Sequence, residues 1–387
     1  MQIQIIKTYT ELKSLESDWI KLHSELKGNV FQSFNWSNEW WNLFAKDNYE
    51  LFVLTAWDNL ELLGILPLFR EKLKIGLLSL SRLRFIGAVQ AHAEYKPLIH
   101  PDKHQNVLTS VVQTFKDELQ SGQIDLVSFF GFSPSANFIP DCLQHLKGEN
   151  LNVRYVPNAV IRPMMNLPEN WDTYLSKLSP TEKTMLTRRT KSLIKYGAEV
   201  EVLKNSQITL NDYYDFVKLH TTAWEEKGFD GYFKASSKFE TFLKGITTTS
   251  YDHKDTRLYF FKKGEERFAA VYAFFDYPVC CFYLSGMDPH HELKRYSPGK
   301  ILLSYVIKDA IKAGFKKFDF QGGKETYKYQ LGGEENYFAK AEIWAKSSRS
   351  LKVWIFILLQ VSRQFFLSHL DYNPFSRFIR KIFKKQK

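Results

Sequence analysis

Cysteine is scarce in this 387-residue chain: Cys142 and the adjacent pair Cys280 and Cys281 are all it has. Three thiols supply neither the even count of a disulfide framework nor the spacing of a metal site, so they read as reduced, mostly buried side chains of a cytosolic protein. Long apolar runs are missing too. No stretch of 18 apolar residues occurs, and the opening MQIQIIKTYTELKSLE has no uninterrupted apolar region, so neither a membrane span nor a signal peptide is expected. The third shortage, of acid, is local. From Lys346 onward ten Lys and Arg stand against one acid, Asp371, a balance of +9, and the chain's total of +11 then leaves +2 for residues 1–345. A nearly neutral body excludes the broad basic stripe of a DNA-binding surface and weighs against tRNA.

What remains is ordinary globular composition, 44% hydrophobic and 16% aromatic, in a chain long enough for two domains of about 100 to 200 residues each. The same grammar appears twice along it. Residues 51–69, LFVLTAWDNLELLGILPLF, read as a hairpin turning at Asp58-Asn59, and residues 258–275, LYFFKKGEERFAAVYAFF, as one turning near Gly264. Each leads through extended sequence to a helix (DKHQNVLTSVVQTFKDELQ; SPGKILLSYVIKDAIKA) and a late strand (GQIDLVSFFG; GFKKFDFQGG). Gly122 and Gly131 flank the first late strand as Gly314 and Gly323 flank the second. The expected fold is therefore a duplicated α/β (α+β) unit, two mixed sheets side by side with helices on their faces.

The copies differ where the second helix begins. Ser297 as N-cap, Pro298 at the first helical position and Gly299, which lets another group approach the backbone, would present free N–H groups to a phosphate. The first copy has Asp102 there, which would cap its own helix and repel an anion. SPTEKTMLTRRTKSLIKYG opens on a Ser179 cap and closes on Gly197, with Arg188, Lys191 and Lys195 within about 60° of one another, opposite Leu186 and Leu193. That ridge reads either as a solvated face or as a site for an anionic acceptor. His220 and Trp224, four residues apart, share a helix face and could form a base and a sugar platform, or a structural pair. Trp36 and Trp40 read as core.

Residues 316–334, KKFDFQGGKETYKYQLGGE, end a strand in a glycine pair and load the next turn with ionisable groups. This segment, extended upstream through LSGMDPHHELKRYSPGKILLSYVIKDAIKAGF, resembles the second domain of the double-domain GNAT-fold acetyltransferases found with cellulose and exopolysaccharide biosynthesis genes. It is also similar to the Fem-type aminoacyl transferases that build peptidoglycan bridges. FQSFNWSNEWW, the basic helix at 183–195 and LHTTAWEEKG match in the same order, so the resemblance spans roughly residues 30–345.

The resemblance implies duplicated GNAT-like domains at 1–155 and 156–345, each a mixed, mostly antiparallel sheet flanked by helices, followed by a basic segment at 346–387. It implies acyl transfer to an amine or hydroxyl, with acetyl-CoA or another acyl-CoA as donor and no metal. The glycine-rich pyrophosphate loop of ordinary GNAT enzymes is reduced here to Ser297-Pro298-Gly299-Lys300, the expected donor site. Acyl transfer needs a base, a proton for the leaving group and positive charge near the oxyanion. Lys328 is assigned to stabilising the oxyanion or an acceptor phosphate, after a lysine in the Fem-type Tyr-x-x-Lys motif, here compressed to Tyr327-Lys328. Tyr327 is the candidate acid, Glu325 or Asp319 the candidate base, with His220 beside them. Asp319 reads equally as a solvated strand residue and Tyr327 as a core aromatic.

Three functions fit: an acyltransferase on a glycan or lipid-linked precursor, a Fem-type transferase using aminoacyl-tRNA, and a non-catalytic scaffold at the membrane. The tail adds a location. Residues 374–387 place Phe375, Phe378, Ile379, Ile382 and Phe383 on one helical face and basic residues on the other, the pattern of a helix in the headgroups of an anionic leaflet. Residues 353–361, VWIFILLQV, are too short to span and either dock on the body or dip into the interface. Peripheral attachment to the cytoplasmic face of the inner membrane is expected.

Overall fold

The computed structural model describes residues 1–76, 78–87, 96–135, 138–148, 150–248 and 255–370. The amphipathic segment expected at 374–387 lies outside them. Both expected hairpins are present, Val53–Asp58 against Glu61–Leu66 and Thr256–Lys263 against Glu266–Asp276. Their turns are set locally: Asn59 and Gly264 adopt φ of 53° and 58°, the left-handed conformation that asparagine and glycine tolerate best.

The described strands form three sheets, not the two expected. A four-stranded antiparallel sheet runs in the order Gln2–Ile6, Val53–Asp58, Glu61–Leu66, Leu98–Ile99. A six-stranded sheet follows the order Tyr49–Leu51, Leu68–Ile75, Leu78–Phe85, Leu126–Phe132, Tyr337–Ala345, Leu151–Ile161. The first copy is split between these two at Pro67, which has no N–H to carry the ladder onward, so Glu61–Leu66 ends in one sheet and Leu68–Ile75 begins the next. The second copy keeps one sheet, in the order Met164–Asn166, Lys317–Asp319, Val279–Met287, Glu266–Asp276, Thr256–Lys263, Glu199–Lys204. Both six-stranded sheets are mixed, each with one parallel pair, Leu78–Phe85 with Leu126–Phe132 and Val279–Met287 with Lys317–Asp319.

The two halves are joined by pairing and by packing. Strand Tyr337–Ala345, from the end of the second half, inserts between Leu126–Phe132 and Leu151–Ile161, with Ala341 opposite Phe129 on one side and Tyr155 on the other. Helix Phe34–Phe44, capped by the Ser33 hydroxyl, drives Trp36 and Trp40 into a core built from both halves. The Trp36 ring meets Phe242 at 4.8 Å and Phe274 at 6.2 Å, both edge-on. Truncating so large a buried ring to Ala costs about 3–5 kcal/mol. All three cysteines are free and buried. After the last strand, helix Ser350–Leu370 lays Val353, Phe356 and Ile357 against Leu80, Leu126 and Trp344. Among the described residues no helix is long and apolar enough to cross a membrane.

Candidate functional site

Strands Val279–Met287 and Lys317–Asp319 begin side by side and then part. They pair in parallel at only three positions, the last being Cys281 opposite Asp319. Two devices end the pairing. Asp319 is drawn inward by Arg162, whose Nε and Nη2 donate to its Oδ2 at 2.8 and 2.5 Å, while its Oδ1 accepts the N–H of Gln321 at 2.8 Å. This side chain-to-backbone turn closes the strand, and Gln321 leaves it with φ 59°. On the facing strand Tyr283 is the extra residue of a bulge, since Ala273 pairs with Phe282 and Tyr272 already with Leu284. A bulge re-aims a strand and adds twist.

The gap between the parted strands is a pocket. Phe282–Ser285 form one wall and Phe320–Gly322 the other, and helices bring in His220, Trp224, Tyr232, Glu325, Tyr327 and Lys328. The glycine pair has separate uses. Gly323 takes φ 119°, and a Cβ there would sit 2.3 Å from a Glu325 carboxylate oxygen, whereas one on Gly322 would meet only the Ile161 carbonyl oxygen, at an ordinary 3.7 Å. Lys328, buried on short helix Thr326–Gln330, donates to the carbonyls of Gly322 and Gln321 at 2.7 and 3.2 Å and meets Glu325 Oε2 at 2.9 Å. An ammonium has three N–H donors, so all three are engaged in clamping this loop. Tyr327 is half-buried, and burial together with the nearby Glu325 carboxylate pushes its hydroxyl up, keeping it protonated.

His220 lies on helix Leu210–Glu225 and is 1% exposed. Its Nδ1 is 2.7 Å from the Ser285 carbonyl, which can only accept, so the proton sits on Nδ1 and the Nε2 lone pair is bare. Among the described residues that buried Nε2 has no hydrogen-bond partner. Burial lowers the imidazole to about 4, against the support of the Ser285 bond, so the ring is neutral at pH 7. Aromatic rings hold it: Tyr232 stacks at 5.8 Å, Phe233 meets it edge-on at 4.9 Å and Trp224 lies 6.0 Å away.

The pocket thus gathers five of the residues singled out in the sequence, His220, Trp224, Glu325, Tyr327 and Lys328. Asp319 is not among them. It is neither a solvated strand residue nor a pocket group but half of a buried ion pair with Arg162.

The residues expected to hold the donor lie at the far end of Val279–Met287, on helix Pro298–Lys312. Ser297 does not cap this helix. It is left-handed, at φ 52°, and its hydroxyl accepts instead from Arg189. Lys300 forms an ion pair with Glu182 and donates to Gln330 Oε1 at 2.8 Å. Beside Gly299 a Cβ would meet only the Met287 sulfur, at 3.9 Å. The first turn is open beside Gly299, with Arg189 at Ser297, while Lys300 is engaged by Glu182 and Gln330. In the first copy Asp102 sits in a short turn, Pro101–Lys103, before helix His104–Ser121 and caps nothing.

Helix Pro180–Lys195 has its expected Ser179 cap and buries Leu186 and Leu193. Arg188, Lys191 and Lys195 are exposed on its outer side, without an ion-pair partner among the described residues and away from the pocket. Through Arg189 and Glu182 the same helix touches the start of Pro298–Lys312, so ridge and helix start are neighbours. Sequence reasoning missed Arg162, Tyr232 and Gly286. Only the last left a trace, as a glycine inside an apolar strand.

Residues 182–329 match the family described as an acetyltransferase (GNAT) domain, so an acyltransferase domain of that type occupies this stretch and contains the whole pocket. A crystal structure of FemX is similar at 12% identity and a TM-score of 0.59, over 88% of this chain and 97% of that one. L-PGS from Bacillus licheniformis is similar at 12% identity and 0.51, over 91% and 96%. A conserved protein of unknown function from Bacteroides thetaiotaomicron follows at 10% and 0.50, over 89% and 100%. These likenesses show a shared fold. No curated protein matches the sequence. No cluster able to hold a metal ion occurs among the described residues.

Proposed function

We propose that the pocket between the parted strands transfers an acyl group to an amine. The donor is a phosphate-bearing thioester of the acetyl-CoA kind, and the amine is carried by an anionic glycan or lipid-linked precursor. The observation that carries this reading is His220, a neutral, pre-oriented acceptor atom buried without a partner in a pocket that also holds a protonated tyrosine.

The choice of amine follows from basicity. An imidazole held at about 4 is too weak to activate a hydroxyl, which keeps its proton far more tightly. An amine needs no activation before attack. Its lone pair bonds to the acyl carbon first, and only then does its nitrogen carry positive charge and an acidic N–H that a weak base can accept. The C–N bond forms, the C–S bond breaks, the amine proton passes to His220 Nε2, and Tyr327 gives its phenolic proton to the leaving sulfur. Solvent exchange restores both. The donor supplies the activated carbonyl. Lys328 holds Glu325 and the glycine loop in place, and Trp224 and Tyr232 form an aromatic wall suited to a sugar face.

Donor phosphates are assigned to the backbone N–H groups of Pro298–Lys312 and to Arg189, and the acceptor's anionic part to Arg188, Lys191 and Lys195. The test incubates the full chain with labelled acetyl-CoA and matched acceptors, an amino-sugar nucleotide and its hydroxyl analogue, following thiol release and product mass. An amide product is expected. An ester product, or consumption of aminoacyl-tRNA with no use of the thioester, overturns the reading.

A further inference from the structure

Helix Ser350–Leu370 is apolar on its outward side as well as on the side that packs on the body. Val353, Phe356 and Ile357 face the body and are buried. Leu351, Trp354, Leu358 and Val361, spaced three, four and three residues apart, follow one outward face and are 67%, 46%, 60% and 43% exposed. A helix resting on a folded body ordinarily turns polar side chains to water. Exposed apolar residues scattered singly need no explanation, but a contiguous stripe marks a contact surface.

The chain that continues from this stripe identifies what covers it. From Lys346 to the last residue the balance is ten cationic side chains to one acid, with Arg377, Arg380, Lys381, Lys384, Lys385 and Lys387 all later in the sequence than residue 370. An apolar face followed by a cationic segment complements a surface that is anionic at its boundary and hydrocarbon beneath, which is a leaflet containing acidic lipid. A second copy is a poorer occupant, because it would bring a second +9 segment to the same seam. Trp354 suits the boundary: its indole packs edge-on against Trp344 at 5.2 Å and is about half exposed, the wet and apolar division that places tryptophan at headgroup level.

We propose that the outward face of helix Ser350–Leu370 lies in the interface of an anionic bilayer, with Leu351, Trp354, Leu358 and Val361 among the upper acyl chains. This places the body of the protein on the membrane through a docked helix, with the tail as reinforcement. It does not depend on the chemistry of the pocket.

The test is sedimentation of the full chain with phosphatidylcholine vesicles, alone or with roughly a third phosphatidylglycerol, at low and high salt. The chain should pellet only with the acidic vesicles and be released by salt. Combining Leu351→Gln, Trp354→Gln, Leu358→Gln and Val361→Thr should weaken that binding at least ~10-fold, the scale expected for losing several apolar side chains from the interface, with no change in oligomeric state. Should that variant misfold, Leu351→Gln with Leu358→Gln, the two most exposed positions, should show a smaller loss in the same direction with an unchanged melting temperature. Wild-type chain that stays in solution with acidic vesicles overturns the proposal. So do folded variants that pellet like wild type, and a lipid-free dimer that the substitutions convert to monomer, which would give the face to a second copy.

Discussion

A Cβ placed on Gly286 would lie 2.3 Å from the backbone nitrogen of His220 and 2.5 Å from the carbonyl carbon of Leu219. Helix Leu210–Glu225 therefore rests backbone on backbone against strand Val279–Met287. That contact brings His220 Nδ1 to the carbonyl of Ser285, the residue just before the glycine. A glycine here positions the pocket's acceptor atom.

Gly286→Ala should be costly for that reason. The atoms it strikes are main chain and cannot swing aside, so the helix must lift and carry His220 with it. We expect about 1–3 kcal/mol of lost stability and, because displacement by an ångström can cost two orders of magnitude, turnover lowered by up to ~100-fold. Gly299→Ala, whose new methyl meets only the Met287 sulfur at 3.9 Å, is the stability control and should leave the melting temperature unchanged or raised, since alanine is the better helix former. Thermal denaturation and steady-state kinetics of both variants decide it, and a Gly286→Ala chain as stable and active as wild type would remove Gly286 from the argument.

Lys328 predicts a combined loss. Its ammonium is buried and shared among Gln321 O, Gly322 O and Glu325 Oε2. Lys328→Met keeps the volume of the stem but leaves two carbonyls and a carboxylate without their donor, which should cost about 2–4 kcal/mol. Turnover should fall at least ~10-fold as the glycine loop loosens. A Lys328→Met chain that unfolds at the same denaturant concentration as wild type would show that the clamp is not structural.

Local chemistry made much of the fold legible, and distance hid the rest. Asp58-Asn59 and Gly264 announced their hairpins because a turn is decided by two or three neighbouring residues, and Ser179 announced its helix for the same reason. The parting of the two strands was not readable, because it depends on Asp319 meeting Arg162 from 157 residues earlier in the chain. Nor was the exchange of strand Tyr337–Ala345 into the sheet of the first half, since alternating apolar residues mark a strand without naming its partner. His220 was noticed for its spacing to Trp224, yet its bare Nε2 is a property of Ser285 and Tyr232, which no local pattern links to it.

Asp319→Asn separates structure from chemistry. Asp319 was an expected base, but it is buried against Arg162 and does not line the pocket. Its amide analogue takes the Asp319 charge away from the buried guanidinium, a loss of about 3 kcal/mol. The folded fraction should still turn over within a few-fold of wild type. A variant with unchanged stability and activity reduced ~100-fold would instead return Asp319 to the reaction as a base.

His220 and Asp276 should pull stability in opposite directions as pH changes. Burial holds the His220 imidazole at about 4, against an ordinary 6.5. Between those values the unfolded chain binds a proton that the folded chain refuses, so the contribution is complete above about 6.5 and is lost as pH falls toward 4, on the order of 3 kcal/mol in all. Asp276 reverses the sign. Burial pushes its carboxyl up to about 7 against the Val30 N–H that it accepts at 3.0 Å, and Asp255 adds to the rise. The folded chain holds that proton more tightly than the unfolded one, so its contribution is present at low pH and is lost as pH rises through about 7. Residue 276 is only half-buried, and solvent screening makes its slope the smaller one. Wild-type unfolding free energy from urea titrations should therefore rise from about pH 4 to about pH 6.5. His220→Gln should flatten the upper part of that rise, leaving the acid-side rise from Glu71 and Asp212, whose arginine and threonine partners hold their carboxyls below the ordinary range against burial. Asp276→Asn, which keeps an acceptor for the Val30 N–H, should steepen the wild-type rise. A His220→Gln chain that retains the wild-type rise would mean that the imidazole is not held neutral by burial, and the weak-base argument for an amine acceptor would fail with it.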